Sequence, residues 1–143
     1  MSEENNTLVR RIVEDYWSKK NPSLAGELFG ANCSLHTPDG DLHGMEGAKM
    51  LYDAYATAFP DFVITIDDTV ADGERVAIRH TFAGTHKGPL GGAAASGNRV
   101  TVSGMMMFRV AGGKVAEARL TWDTLRLAQQ IGALPKASGQ AAT

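Results

Sequence analysis

The stretch that decides the fold is Asp72-Gly73-Glu74-Arg75-Val76-Ala77-Ile78-Arg79-His80-Thr81-Phe82-Ala83-Gly84-Thr85-His86. Asp72-Gly73 is a tight-turn dipeptide, and beyond it Val76, Ile78, His80 and Phe82 alternate with Ala77, Arg79, Thr81 and Ala83, the two-residue period of a half-buried strand. Upstream, Phe62 to Val70 is also strand-like, so the two segments form a hairpin. Before Pro60 the period is helical: Leu51, Tyr55 and Phe59 recur every fourth residue, predicting a helix from Glu46 to Phe59. Downstream, after a glycine-rich loop at 88–97, Val100 to Val110 and Lys114 to Asp123 flank Gly112-Gly113 as a second hairpin. A brief helix is expected over 124–131.

Toward the N-terminus, Leu8, Val9, Ile12, Val13 and Tyr16 mark a helix over 7–19 that Asn6-Thr7 can cap. Asn21-Pro22 opens a second short helix carrying Leu24, Leu28 and Phe29, which Gly30 is expected to end. Residues 32–37 alternate as a short strand and stop at Pro38-Asp39-Gly40. Helices followed by antiparallel strands predict an α+β domain in which a curved sheet wraps the helices and leaves a cavity between them. The domain is expected to end near residue 135, with the Ala/Ser/Gly/Gln tail from Lys136 disordered.

The chain has 143 residues, enough for one core. With 43% hydrophobic and 21% charged residues, it has the composition of a soluble globular protein. The 14 basic and 16 acidic residues leave a net charge of −2, which gives no electrostatic reason for nucleic acid or an anionic membrane as partner. Cys33 is the only cysteine, so no internal disulfide forms. The polar N-terminus lacks the pattern of a signal peptide, and a cytoplasmic location is expected.

Candidate chemistry centres on Asp123, at the end of a strand beside Trp122. Glu117, Arg119, Thr121 and Asp123 share one strand face. If Gly112 and Gly113 are the whole loop, Asp123 lies opposite Val102, Arg119 opposite Met106 and Glu117 opposite Phe108. That mixed surface reads as a pocket wall, unless a β-bulge reverses the parity. Burial there would raise the Asp123 pKa toward general acid–base use, with Arg119 polarising a substrate oxygen. The alternative for both is a solvated face.

His36 and His86 are candidate pocket donors or structural histidines, while His43 and His80 carry less signal. No histidine pair has metal-ligand spacing, and no metal or cofactor is expected. Met106, Phe108 and Trp122 complete the expected pocket wall, with Tyr16 and Phe59 from the helices. The same register puts Leu120, Trp122, Met105 and Met107 on an outer apolar face, for which a homodimer or homotetramer would provide cover. The glycine-rich loop opens no helix, so it is a lid or a connection and not a phosphate cradle.

Gly44-Met45-Glu46-Gly47, Ala58-Phe59-Pro60-Asp61, Asp72 to Arg79, Gly84-Thr85-His86-Lys87-Gly88, Phe108-Arg109, Gly113-Lys114-Val115-Ala116-Glu117, and Asp123 followed by Gln130-Ile131-Gly132 together resemble the SnoaL-like polyketide cyclase family. The resemblance spans roughly residues 8–135. It implies the NTF2-like, cystatin-type cone-shaped barrel and a hydrophobic aromatic small molecule as substrate. By resemblance Asp123 is the general acid–base of a cofactor-free intramolecular aldol condensation that closes a ring of an anthracycline-type precursor. Arg119 replaces a Trp common in the family, and Ala95-Ser96-Gly97 replaces a Pro-Thr-Gly run. Related proteins of the fold act in ring hydroxylation or bind small molecules without catalysis, and both remain alternatives.

Overall fold

The computed structural model describes residues 2–134. Its elements, in order, begin with α1 (Ser2–Arg10), which runs on as a π-helical segment at Arg11–Ser18. A 3₁₀ turn at Pro22–Leu24 leads into α2 (Ala25–Leu28), then β1 (Phe29–Thr37), β2 (Gly40–His43) and α3 (Gly44–Ala58). The long strands β3 (Val63–Asp72), β4 (Arg75–Thr85), β5 (Arg99–Ala111) and β6 (Lys114–Trp122) follow, and α4 (Thr124–Gln130) comes last. The strands form one six-stranded sheet in the order β2-β1-β6-β5-β4-β3. The expected α+β architecture is present, and its sheet is antiparallel except where β1 runs parallel to β6.

Several boundaries differ from the sequence expectation for local reasons. The first helix starts at Ser2, so Asn6 and Thr7 lie inside it; Thr7 bonds back to the Glu3 carbonyl, and Asn6 accepts from the Thr69 hydroxyl on β3. Gly30 belongs to β1 and not to a helix end; a Cβ there would stand 3.3 Å from the Val115 carbonyl of β6, so the glycine lets those strands approach. The turn at 38–40 returns the chain as a short strand, β2. The tail from Lys136 lies outside the described residues.

The decisive difference is in the β5–β6 hairpin. Gly112 and Gly113 do make the tight turn, with φ of 60° and 77°, and Ala111 and Val110 pair with Lys114 and Val115 as that turn requires. Arg109 then pairs with Glu117, leaving Ala116 as the extra residue of a β-bulge. Beyond it Met107 faces Arg119, Met106 faces Leu120 and Gly104 faces Trp122. The one-residue shift exchanges the faces of β6. Ala118 and Leu120 are buried inward with Phe108 and Met106, while Arg119 and Thr121 point out.

The core lies between the concave sheet face and the helices. Val9, Ile12, Val13 and Tyr16 from the first helical run meet Val76, Ile78, Phe108 and Val115 from the strands, all buried. Burial of this apolar surface is the main stabilising term.

Candidate functional site

Between the helices and the sheet lies an apolar chamber of about 50 Å³. Trp17, Leu51, Tyr52 and Tyr55 close it from the helices, and His80, Phe82, Val102, Met106, Leu120 and Trp122 line it from the sheet. Tyr55, Trp122 and Leu127 also line an open vestibule of about 730 Å³, whose walls include Asp39 and the glycine-rich loop from Leu90 to Ala94. Chamber and vestibule therefore meet at those side chains. Tyr55 packs edge-on to Trp122 at 5.3 Å and to Phe82 at 6.0 Å, fixing the aromatic collar of the opening.

His80 is the titratable group of the sheet wall. It follows Val76 and Ile78 on the inward half of β4 and is only 1% exposed. Burial pushes its pKa down to about 4, against a smaller upward pull from Asp67, so the ring is neutral at pH 7. Its Nδ1 is buried with no hydrogen-bond partner, and so is Nε1 of Trp122. The Trp122 indole leans toward the Tyr55 phenol without reaching hydrogen-bond geometry. Burial, with Asp39 second, raises the Tyr55 pKa, and burial also raises that of Tyr52.

Of the residues expected at the pocket, Met106 and Trp122 line the chamber. Asp123 does not share its face. The bulge at Ala116 turns that half of β6 outward, and the Asp123 carboxylate, 42% exposed, caps α4: it accepts the Arg126 backbone N–H at 2.9 Å and lies 3.7 Å from the Arg126 Nε. Arg119 is likewise outside, with its side chain 64% exposed and 3.6 Å from Glu117. His36 is on the same outer face, bonded through Nδ1 to Asp41 and through Nε2 to Glu117, each at 2.9 Å. Those hydrogen bonds raise its pKa and lower that of Glu117.

His86 is fully buried but away from the chamber. Its Nδ1 receives the Ser96 backbone N–H at 3.1 Å and stands 2.8 Å from the Ser96 hydroxyl, and its ring lies 5.5 Å from that of Phe59. It ties down the end of the glycine-rich loop, whose middle borders the vestibule. Tyr16, Phe59 and Phe108 are core residues behind the chamber and not part of its lining. The expected outer apolar face also changes: Leu120 and Trp122 turn inward, leaving Met105 and Met107 62% and 45% exposed.

Sequence reading passed over His80, although it stands in the apolar half of a cleanly alternating strand. A lone polar residue in such a register was the available signal. Tyr52 and Tyr55, three apart on α3, could have been found in the same way from the helical face. Among the described residues no cluster of His, Cys, Asp or Glu could hold a metal ion, and no helix is long and apolar enough to cross a membrane.

An apolar cavity inside a cone of this topology agrees with the comparison to known proteins. The family model of the SnoaL-like polyketide cyclases matches residues 7–131. The chain belongs to the SnoaL-like polyketide cyclase family. This member is similar in structure to a candidate SnoaL-like polyketide cyclase from Jannaschia sp. CCS1, at TM-score 0.87 and 23% identity over 94% of this chain and 95% of that one. It is also similar to AclR, a candidate hydroxylase from Streptomyces galilaeus, at TM-score 0.85 and 24% identity over 99% of this chain and 91% of the other. TsrD from Streptomyces laurentii matches at TM-score 0.84 and 26% identity over 94% and 98% of the two chains. No curated protein matches the chain. The SnoaL-like fold is thereby established, and its NTF2-like cone is what brings β4, β5 and β6 to one chamber wall.

Proposed function

We propose that this SnoaL-like protein takes a neutral, largely apolar polyketide across chamber and vestibule and closes a ring in it by cofactor-free intramolecular aldol condensation. The observation that carries the reading is an apolar chamber adjoining a larger vestibule, with Tyr55, Trp122 and Leu127 lining both. The vestibule supplies nearly all of the volume, within the roughly 300–1,000 Å³ usual for small-molecule sites, and the chamber beside it admits no more than a small substituent of the ligand.

In this reaction a base removes a proton from a CH₂ flanked by carbonyls, the enolate carbon attacks a second carbonyl carbon, and the new alkoxide takes the proton back. No atom is gained or lost. By family resemblance the base is Asp123. To act it must leave the α4 cap and turn into the vestibule, which its neighbours Trp122 and Thr124 already line. Asp123→Asn tests this cleanly, because Asn caps a helix as well as Asp but cannot accept the proton. Ring closure of an anthracycline-type methyl ester precursor should fall at least about 100-fold with the melting temperature unchanged; undiminished closure would remove Asp123 from the reaction.

One observation favours a second reading, a hydroxylase or a non-catalytic small-molecule carrier: the Asp123 carboxylate is engaged with α4 and lies outside both cavity walls. Tight binding of the same ester without turnover would support the carrier, and an oxygen-dependent hydroxylated product would support the hydroxylase.

A further inference from the structure

Asp39 is the only carboxylate in the walls of chamber and vestibule, and among the described residues no basic side chain lines the vestibule beside it. It sits after Pro38 in the turn between β1 and β2, and that turn is fixed from within. The Thr37 hydroxyl accepts the Asp39 backbone N–H at 3.1 Å and donates to the Gly40 carbonyl at 2.8 Å. The Asp39 carboxylate is exposed, with no hydrogen bond and no ion pair among the described residues.

Tyr55 of α3 lines the same vestibule. Asp39 is near enough to help raise the Tyr55 pKa, yet the two side chains make no hydrogen bond. The Trp122 indole leans toward the phenol from the other side, so the Tyr55 proton is left for another acceptor. The phenol oxygen is not sealed off, and because the chamber wall is wholly apolar it is reached from the vestibule. A free donor and a free acceptor thus open on one cavity, too far apart to bond each other. They fit a group able to accept from one and donate to the other, which a hydroxyl does.

We propose that Asp39 and Tyr55 hold a hydroxyl group of the ligand between them, Tyr55 donating to the ligand oxygen and the ligand O–H donating to the Asp39 carboxylate. This deepens the reading above, which supplies the aromatic ligand and the vestibule, by naming the group that orients it. The bond to Asp39 is charge-assisted and the stronger of the two. Leu90, Trp122, Leu127 and Ile131 offer apolar wall for the ring system. A ketone or ether uses Tyr55 alone, and an ammonium uses Asp39 alone and leaves the Tyr55 donor unpaired. A carboxylate on the ligand meets the charge of Asp39 with no basic group to offset it. The ligand that satisfies both groups is therefore a neutral aromatic molecule bearing a phenol or alcohol.

The test measures binding of naphthalene, 2-methoxynaphthalene and 2-naphthol to the full chain by fluorescence. All three should bind, with 2-naphthol about tenfold tighter than naphthalene and the ether in between, because the ether oxygen accepts from Tyr55 but has no proton for Asp39. Asp39→Ala should bring 2-naphthol to the level of the ether and leave the other two within twofold. Tyr55→Phe, which keeps the ring of the aromatic collar, should bring the ether to the level of naphthalene. The ionisation of bound 2-naphthol gives a readout that packing alone would not move. Asp39→Asn removes a negative charge and should lower that pKa, whereas Tyr55→Phe removes a donor to the naphtholate and should raise it, each by about threefold in the ionisation constant. Binding of 2-naphthol no tighter than naphthalene, or ionisation shifts that are absent or of one sign in the two variants, would overturn the hydroxyl clamp and leave the ligand cavity standing. Failure of all three probes to bind would overturn the cavity reading and the clamp with it.

Discussion

Gly104→Ala should be among the most damaging single-methyl changes in this protein. A Cβ there would lie 2.1 Å from the Thr121 carbonyl oxygen, 2.8 Å from Trp122 Cα and 2.7 Å from His80 Cε1, where ordinary contact begins at 3.4 Å. Two of the three obstacles are backbone atoms of β6, and the third belongs to a ring with no solvent to move into. Relief requires β5 and β6 to separate by more than an ångström, breaking ladder bonds in the middle of the sheet. Overpacking of a tight core costs about 1–3 kcal/mol, and the backbone displacement puts this case at the top of that range, about 3 kcal/mol. For a chain of this length that is a fall in melting temperature of about 10 °C. Urea unfolding followed by far-UV circular dichroism, with the slope checked against wild type, measures it directly. Gly26→Ala is the control of opposite sign: nothing lies within 4 Å of its Cβ, it sits in α2, and it should stabilise by about 0.5–1 kcal/mol. A loss below about 1 kcal/mol for Gly104→Ala would show that β5 and β6 are not in the register described.

Other consequences are simpler to test. Hydrogen bonds donated to Asp41 and Glu117 raise the His36 pKa above 6.5, so its contribution to stability is complete below pH 6.5 and is lost as pH rises through the folded value; the Glu117 pKa is lowered below 4.5, so its contribution is present above pH 4.5 and lost as pH falls. The network should therefore stabilise most between those limits, and His36→Gln should flatten the melting temperature across that interval; an unchanged profile would deny the pairing. Arg119→Ala removes an exposed side chain on the outer face and should shift stability by less than about 0.5 kcal/mol with ligand affinity unaltered. A large loss of affinity would return Arg119 to the pocket wall.

Much of the fold was legible because it rests on local rules. The α3 stripe of Leu51, Tyr55 and Phe59, the alternation from Val76 to Phe82, and the turns at Asp72-Gly73 and Gly112-Gly113 each announce an element through period or turn chemistry. On β6 two local signals disagreed. The apolar half, Ala118, Leu120 and Trp122, pointed inward by alternation, whereas counting back from the Gly112-Gly113 turn put Arg119 and Asp123 there. Alternation was the better guide, because burying Leu120 and Trp122 gains far more than burying a guanidinium and a carboxylate.

By itself, then, the sequence determined the order of helices and strands, the positions of the tight turns, the α+β class, and through its motif series the SnoaL-like family. Only the tertiary structure decided which face of β6 looks inward, because a turn sets the register just as far as the first irregularity, and the bulge at Ala116 has no signature in residue type or spacing. That one extra residue sends Asp123 to cap α4 and brings Trp122 into line with Gly104 and His80. The cavity is likewise a property of four strands and three helical segments meeting at a distance in sequence. No period along one strand can reveal that a histidine and an indole, 42 residues apart in number, face one chamber.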